Sequence, residues 1–549
     1  MNRRNTCIAV AFLIGFLYRV LISLQGIDHI DSGFSNTFFQ NIFTHPETMT
    51  FYFNYYLSGL LGGIWCQLAG TTGMLGFRVL EATILTASVF LIYKTFERQL
   101  TNTSYAVVAI LVSFLFPTIV TTLHYNTLSF LFLSLTSWSY SKFIYTRKSL
   151  WLFLSGMALG CCFLVRIVNL ALGILILVPI VEAWLTRQRS LSVRHGAIML
   201  AGMLSSVAIL LGVMHLLRHL PYFVKGLDEA FGFFHGDETS HASGNLFKVY
   251  LKSYVNIFLQ MSALFLLGWL YQQAGRLSAS WRKSCRGLLV MGTLLLIATS
   301  LPYLSALSLC TLLLIYLFQS DIPRDHKLMF SFVMAGAYIF PFGSDIGIAG
   351  IYHWIGGLLI IPAAIGVGRV APVVRKEITI CCLCIVAVML WKTMYRPYGE
   401  QAPRWQCTAQ VGEGLLNAFT SPDKAEDYRH VIEGIRRQTT ENKWLVVGNQ
   451  ASEIYYATET IPFLGNTQLG VYSGADLMKR LDRQVEAYHQ FPVIVFLKKK
   501  HFVFDSAEEV QSWLRKWVET QHYEVAIDDA FLTVFTPLTG NSLSANLHN

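Results

Sequence analysis

Charge is what this chain has least of. Asp, Glu, Lys and Arg together make up 14% of its 549 residues, against about a quarter in soluble domains, while 54% are hydrophobic and 14% aromatic. That balance excludes a soluble fold of this size. Cations are most completely missing between Leu21 and Phe77, where not one Lys or Arg occurs in a chain that holds 42. Of ten cysteines, nine lie at or before Cys384, mostly inside apolar runs, and only Cys407 lies beyond. A structural disulfide in the C-terminal part is therefore excluded, and no spacing resembles a zinc site. The segment Val446-Val-Gly-Asn-Gln450 lacks the glycine pattern and phosphate-loop Lys of a nucleotide fingerprint. No internal repeat is evident, and no small-residue cleavage site follows Asn2-Arg-Arg-Asn5.

What the chain does have is a succession of apolar runs from Cys7 to about Met394, each near the ~20 residues a helix needs to cross the hydrocarbon core. These runs predict a polytopic α-helical membrane protein of about 13 transmembrane helices over residues 1–395. A C-terminal extracytoplasmic α/β domain follows over 396–549. The spans fall at about 7–24, 75–93, 105–121, 126–142, 150–166, 168–185, 196–216, 255–272, 287–302, 304–318, 328–341, 354–370 and 377–393. The net charge of +9 sits in the connections that alternate along this series, such as Lys94/Arg98, Arg147/Lys148, Arg282/Lys283 and Arg375/Lys376. That is the positive-inside pattern rather than a nucleic-acid surface. It puts the N-terminus in the cytoplasm and residues 25–74 in a first exterior loop, whose Tyr55–Ala69 segment reads as a helix lying in the interface. Beyond Arg396, strands at Trp444–Gly448, Val493–Leu497, Tyr523–Ile527 and Leu532–Thr536 alternate with helices, which suggests a mainly parallel sheet.

The first exterior loop carries two carboxylates, Asp28 and Asp31, with no cation near them in sequence. Such a pair is poor packing material and good acid/base material, although two solvated loop aspartates capping a short helix are an equal alternative. Arg19, Arg78 and Arg166 lie in apolar runs at the depth of the outer face. Together they could surround a lipid-linked phosphate, whose oxygens match the guanidinium fork; the plain alternative for each is snorkelling to headgroups. Asp345, in Gly343-Ser-Asp, and His353 fall in a second Gly-rich loop at membrane depth and are candidates to face the same ligand. His235, Asp237, Glu238 and His241 offer metal-ligand types, though solvated loop is the commoner fate of such clusters. No cofactor is called for, and a divalent metal is left open. His124-Tyr-Asn126 and Asn169 read as structural.

In order, the chain shows a helix containing an Arg, a loop with Asp31-Ser-Gly-Phe34, interfacial helices and the Gly73-Met-Leu-Gly-Phe-Arg78 entry to the next span. This set resembles the integral-membrane glycosyltransferases of the C superfamily (GT-C), of the bacterial mannosyl- and aminoarabinosyltransferase kind. The resemblance covers about residues 7–395. It implies transfer of a sugar from a polyprenyl-phosphate carrier to an extracytoplasmic glycan, lipid or protein in cell-envelope glycan biosynthesis. It also implies a bacterial inner membrane and no nucleic-acid partner. Asp31 would be the general base of an inverting displacement. The family's usual acidic pair is Asp-Glu, whereas Ser32 follows Asp31 here, which leaves Asp31 alone or Asp31 with Asp28. A membrane polysaccharide polymerase or ligase is the alternative. A transporter fits less well, because its ionisable groups would gather at the midplane and its halves would repeat. Cysteine-labelling of single-cysteine variants should find residues 396–549 outside and the loops near 147, 189, 283 and 375 inside. A cytoplasmic C-terminus would overturn this topology.

Overall fold

The computed structural model describes residues 3–28, 30–117, 122–185, 189–235, 243–299, 302–344, 346–412, 414–502 and 507–538. The chain opens with α1 (Arg3–Ser23), then α2 (Asp31–Asn41), a 3-10 stretch (Pro46–Tyr55), α3 (Tyr56–Ala69) and α4 (Gly73–Phe96). Each later apolar run is helical as expected, from Thr103–Leu115 to Pro372–Tyr395. Among the described residues, however, six helices are long and apolar enough to cross a membrane. A seventh counts if the bent pair Trp281–Thr299 and Tyr303–Gln319 is one span. That is fewer than the thirteen expected, because several apolar helices are short. Thr103–Leu115 has 13 residues and so rises only ~20 Å, against a ~30 Å core.

Close helix packing is set by small residues. On Ser149–Val165, Gly156 and Gly160 lie one turn apart, and side chains there would overlap the backbone of Met199 and Met203 on Arg189–Leu216. This is the small-residue spacing that lets membrane helices touch backbone to backbone. The helix breaks at Arg166, which is extended (φ −154°, ψ 117°), and a 3-10 stretch, Ile167–Ile176, follows. At the start of α1, Arg4 donates to the carbonyls of Glu97 (3.1 Å) and Leu100 (2.9 Å) beyond α4. The other end of α1 meets the first loop and the C-terminal domain.

In that domain β1 (Ala409–Gln410) and β2 (Phe419–Thr420) form a small ribbon. The main sheet holds β3 (Trp444–Val447), β4 (Ile461–Pro462), β5 (Val493–Leu497), β6 (Tyr523–Asp528) and β7 (Leu532–Pro537), in the order β4-β3-β5-β7-β6. Only the β4-β3-β5 half is parallel; β5-β7 and β7-β6 are antiparallel. The expected mainly parallel sheet is corrected by one local device. The Asp529 side chain accepts from the backbone N–H of Phe531 (2.7 Å) and Leu532 (3.0 Å), an Asx turn that folds β6 and β7 into a hairpin.

The first loop and this domain share one apolar core, in which Phe38, Tyr52 and Phe77 are buried with Tyr428, Ile454 and Tyr456. The loop also joins the domain through backbone: Gly26 N–H donates to Phe419 O (2.8 Å) and Phe419 N–H to Leu24 O (2.9 Å). The tightest approach is at Gly33 in the first turn of α2, where a Cβ would overlap the backbone of Ser452 and Glu453. Gly33→Ala should therefore cost about 1–3 kcal/mol of overpacking, read as a lowered unfolding midpoint in detergent, since backbone atoms cannot swing aside as a side chain would.

Candidate active site

Asp28 follows Gly26-Ile27 in a stretch whose backbone is held from three sides. The buried Arg78 guanidinium donates to the carbonyls of Ser23 and Gly26, the latter at 2.6 Å. The C-terminal domain supplies the other two holds. Glu400 Oε1 accepts from Ile27 N–H (2.9 Å), and Lys424 Nζ donates to Ile27 O (2.9 Å), to Gly399 O (2.7 Å) and to Glu400 Oε1 (3.1 Å). Thr420 Oγ1 donates to the same carboxylate oxygen (2.7 Å). Both backbone polar groups of Ile27, in the two peptide units that flank it, are thus fixed by a buried ion pair from residues far along the chain.

Fixed in this way, Asp28 turns its carboxylate onto the start of α2. It accepts from Ser32 N–H (2.7 Å) and Ile30 N–H (3.3 Å), satisfying donors that the helix cannot. Asp28 is buried and Asp31, the first residue of α2, is half-buried. Behind α2, Glu453 is fully buried and accepts from Tyr428 Oη–H (2.6 Å). Burial, reinforced by the Asp28 charge, holds the Glu453 carboxyl well above the usual carboxylate range. Tyr398 is pushed up in the same way by burial and then by Asp28 and Asp31, and remains a neutral phenol.

Two cavities meet at this loop. The first, of about 320 Å³, is largely aromatic, and Arg166, Asn126 and Asn54 line it together with Asp31. Tyr55 stacks on Tyr125 at 4.2 Å and His124 on Trp354 at 5.2 Å in its wall. The second, of about 1100 Å³, is polar and lies against the C-terminal domain, lined by Asp28, Tyr398, Glu400, Lys424 and again Asp31. Of the residues lining the two, Ile30 and Asp31 belong to both.

The expected phosphate arginines separate. Arg166 reaches the first cavity, lying 5.8 Å from the Tyr125 ring and 6.0 Å from that of Phe340 and donating to Phe340 O (3.4 Å). No carboxylate pairs with it among the described residues. Arg19 and Arg78 are elsewhere. Arg19 is fully buried and forms an ion pair with Glu81 (3.2 Å), which neutralises it within the helix packing. Arg78 holds the loop from behind and lines neither cavity. His353 lies on the helix Gly347–Ile355, beside Trp354 of the first cavity. Asp345 lies outside the described residues, as do Asp237, Glu238 and His241 of the candidate metal cluster. Among the described residues no group of three metal-ligating side chains converges.

Sequence reasoning missed Glu400, Lys424 and Asn54, and it read Asn126 as structural. For Asn126 a signal existed: a carboxamide at the mouth of a membrane helix beside His124 and Tyr125, here the second residue of Tyr125–Thr146, with His124 Nδ1 accepting its N–H (3.3 Å). Asn169 is structural as expected, donating to Ser129 Oγ (2.8 Å) and Cys162 O (3.0 Å).

Residues 58–214 match the family model described as dolichyl-phosphate-mannose-protein mannosyltransferase. The match spans Arg78, Asn126 and Arg166 and leaves out Asp28 and Asp31. No curated protein matches the chain. Among solved structures it is similar to the archaeal oligosaccharyltransferase AglB from Archaeoglobus fulgidus, in complex with an inhibitory peptide and a dolichol-phosphate. That similarity has a TM-score of 0.51 and 11% identity and covers 98% of this chain and 74% of that one. ArnT from Cupriavidus metallidurans bound to undecaprenyl phosphate aligns with a TM-score of 0.45 and 13% identity, over 97% of this chain and 98% of that one. The fold is that of the GT-C class of integral-membrane proteins. Within that class, the sequence match over residues 58–214 is to the mannosyltransferase family.

Lys424→Met should strand the buried Glu400 carboxylate and cost about 3–5 kcal/mol of stability. Adding Glu400→Gln should restore part of it. Denaturant unfolding of the two singles and the double gives the coupling directly.

Proposed function

We propose that this protein is a glycosyltransferase that takes a sugar from a polyprenyl-phosphate carrier and passes it to a polar acceptor outside the cytoplasm. The observation that carries this reading is the position of Asp31 on the boundary of two unlike cavities. The aromatic one suits a sugar ring, with Arg166 to hold its phosphate. The larger polar one, open to the C-terminal domain, suits a hydrophilic acceptor. The outward orientation rests on the basic connections of the helical region.

In the reaction, an acceptor hydroxyl or amine enters from the polar side and attacks the anomeric carbon. The bond from that carbon to the carrier phosphate oxygen breaks as the new bond forms, so the configuration inverts. Asp31 takes the acceptor's proton. The departing polyprenyl phosphate keeps the electron pair, and the Arg166 guanidinium stabilises its charge. Asp28 keeps Asp31 in place through the first turn of α2 rather than reacting itself.

Asp31→Asn, nearly isosteric, should lose ~100-fold or more of the transfer rate while the protein still inserts and binds carrier. Asp28→Asn should cost less in rate. Transfer of radiolabelled sugar from membrane-extracted carrier lipid measures both. An active Asp31→Asn beside an inactive Asp28→Asn moves the base to Asp28, and full transfer by both removes the carboxylate mechanism.

A further inference from the structure

One group in the first cavity has no role in the chemistry above and none in the packing. Asn126 is 1% exposed and lines the cavity. Neither its Oδ1 nor its Nδ2 has a hydrogen-bond partner among the described residues. Beside it in the lining, Asn54 is 4% exposed. Its Nδ2 is committed to Phe51 O (2.8 Å) and Gly226 O (2.9 Å), and its Oδ1 has no partner among the described residues. A buried carboxamide stripped of water and left unmatched destabilises the empty protein. A ligand that supplies the missing partners offsets that cost.

We propose that Asn126, helped by Asn54, recognises the hydroxyls of the donor sugar. The inference rests on the glycosyltransferase reading above and deepens it. A carboxamide both donates and accepts, so Asn126 can donate to one sugar oxygen and accept from the next. Asn54 Oδ1 accepts from a third hydroxyl. The stacked Tyr55–Tyr125 and His124–Trp354 pairs offer flat apolar walls to the C–H faces of the ring. Among the described lining residues, the carboxylate and the guanidinium are those of Asp31 and Arg166. The cavity volume, about 320 Å³, lies at the lower end of the ~300–1,000 Å³ range of small-molecule sites, which suits a single sugar unit.

The test uses the full-length protein in detergent and reads unfolding midpoints and titrated affinities. The probes are undecaprenyl phosphate alone, the same carrier bearing mannose, glucose or galactose, and the carrier bearing glucosamine or glucuronate. Wild type should bind at least one of the sugar-bearing carriers more tightly than the bare carrier. Empty Asn126→Ala should be as stable as wild type or more so, because it removes an unmatched amide. It should bind bare undecaprenyl phosphate as wild type does and lose about ten-fold or more of the affinity added by the sugar. Asn126→Ala that keeps the full sugar increment, or that is destabilised when empty, overturns the role of Asn126. A wild type that binds neither bare carrier nor any sugar-bearing carrier removes the glycosyltransferase reading itself, and this inference with it.

Discussion

A single ammonium group, that of Lys424, holds the site together. Lodged between Ile27 O, Gly399 O and Glu400 Oε1, it ties the first loop of the membrane region to the C-terminal domain. From that point the constraint passes along the chain. The N–H and the C=O of Ile27 are both fixed, Asp28 is thereby aimed at the N–H groups of Ile30 and Ser32, and α2 begins where Asp31 is its first residue. Arg78 closes the other side by gripping the end of α1 and Gly26. Buried ion pairs contribute little net stability compared with an apolar replacement. What this one contributes is position, because its partners are backbone groups as well as each other.

The surroundings keep negative charge where chemistry needs it and remove it elsewhere. Burial pushes the Glu453 carboxyl, packed directly behind α2, well above the usual carboxylate range, and pushes the Tyr398 phenol up as well. Asp28 spends its acceptor capacity on the helix start. Asp31 is left as the carboxylate shared by both cavities. The two chambers differ in kind, one walled by stacked rings and the other by charged and polar groups of the C-terminal domain. Two unlike environments therefore meet at one side chain.

The helical membrane region was legible because apolar length is a local signal; the runs expected to be helical are helical. Asp31 stood out for a similar reason, as an acid in a long stretch without cations. The partners of these groups were not legible. Arg19 finds Glu81, a lone acid in another apolar run, 62 residues on. Such a lone acid and lone base were a usable hint of pairing. Nothing in the neighbourhood of Ile27 points to Lys424, because the pairing is tertiary and leaves no periodicity. The antiparallel half of the sheet depended on one Asx turn at Asp529, too short a signal to outweigh the strand–helix alternation. Asn126 reads as structural in the sequence; that its side-chain amide finds no partner among the described residues is visible only in the folded chain.

The clamp on Ile27 also has a consequence for biogenesis. Lys424 lies 397 residues beyond Ile27, so at ~5–20 residues per second of synthesis it emerges roughly 20–80 s later. During that interval the early helices can enter the bilayer while the loop that bears Asp31 lacks its anchor. A chain cut short before Lys424 never gains that anchor, so the geometry around Asp31 depends on residues made long after the loop itself.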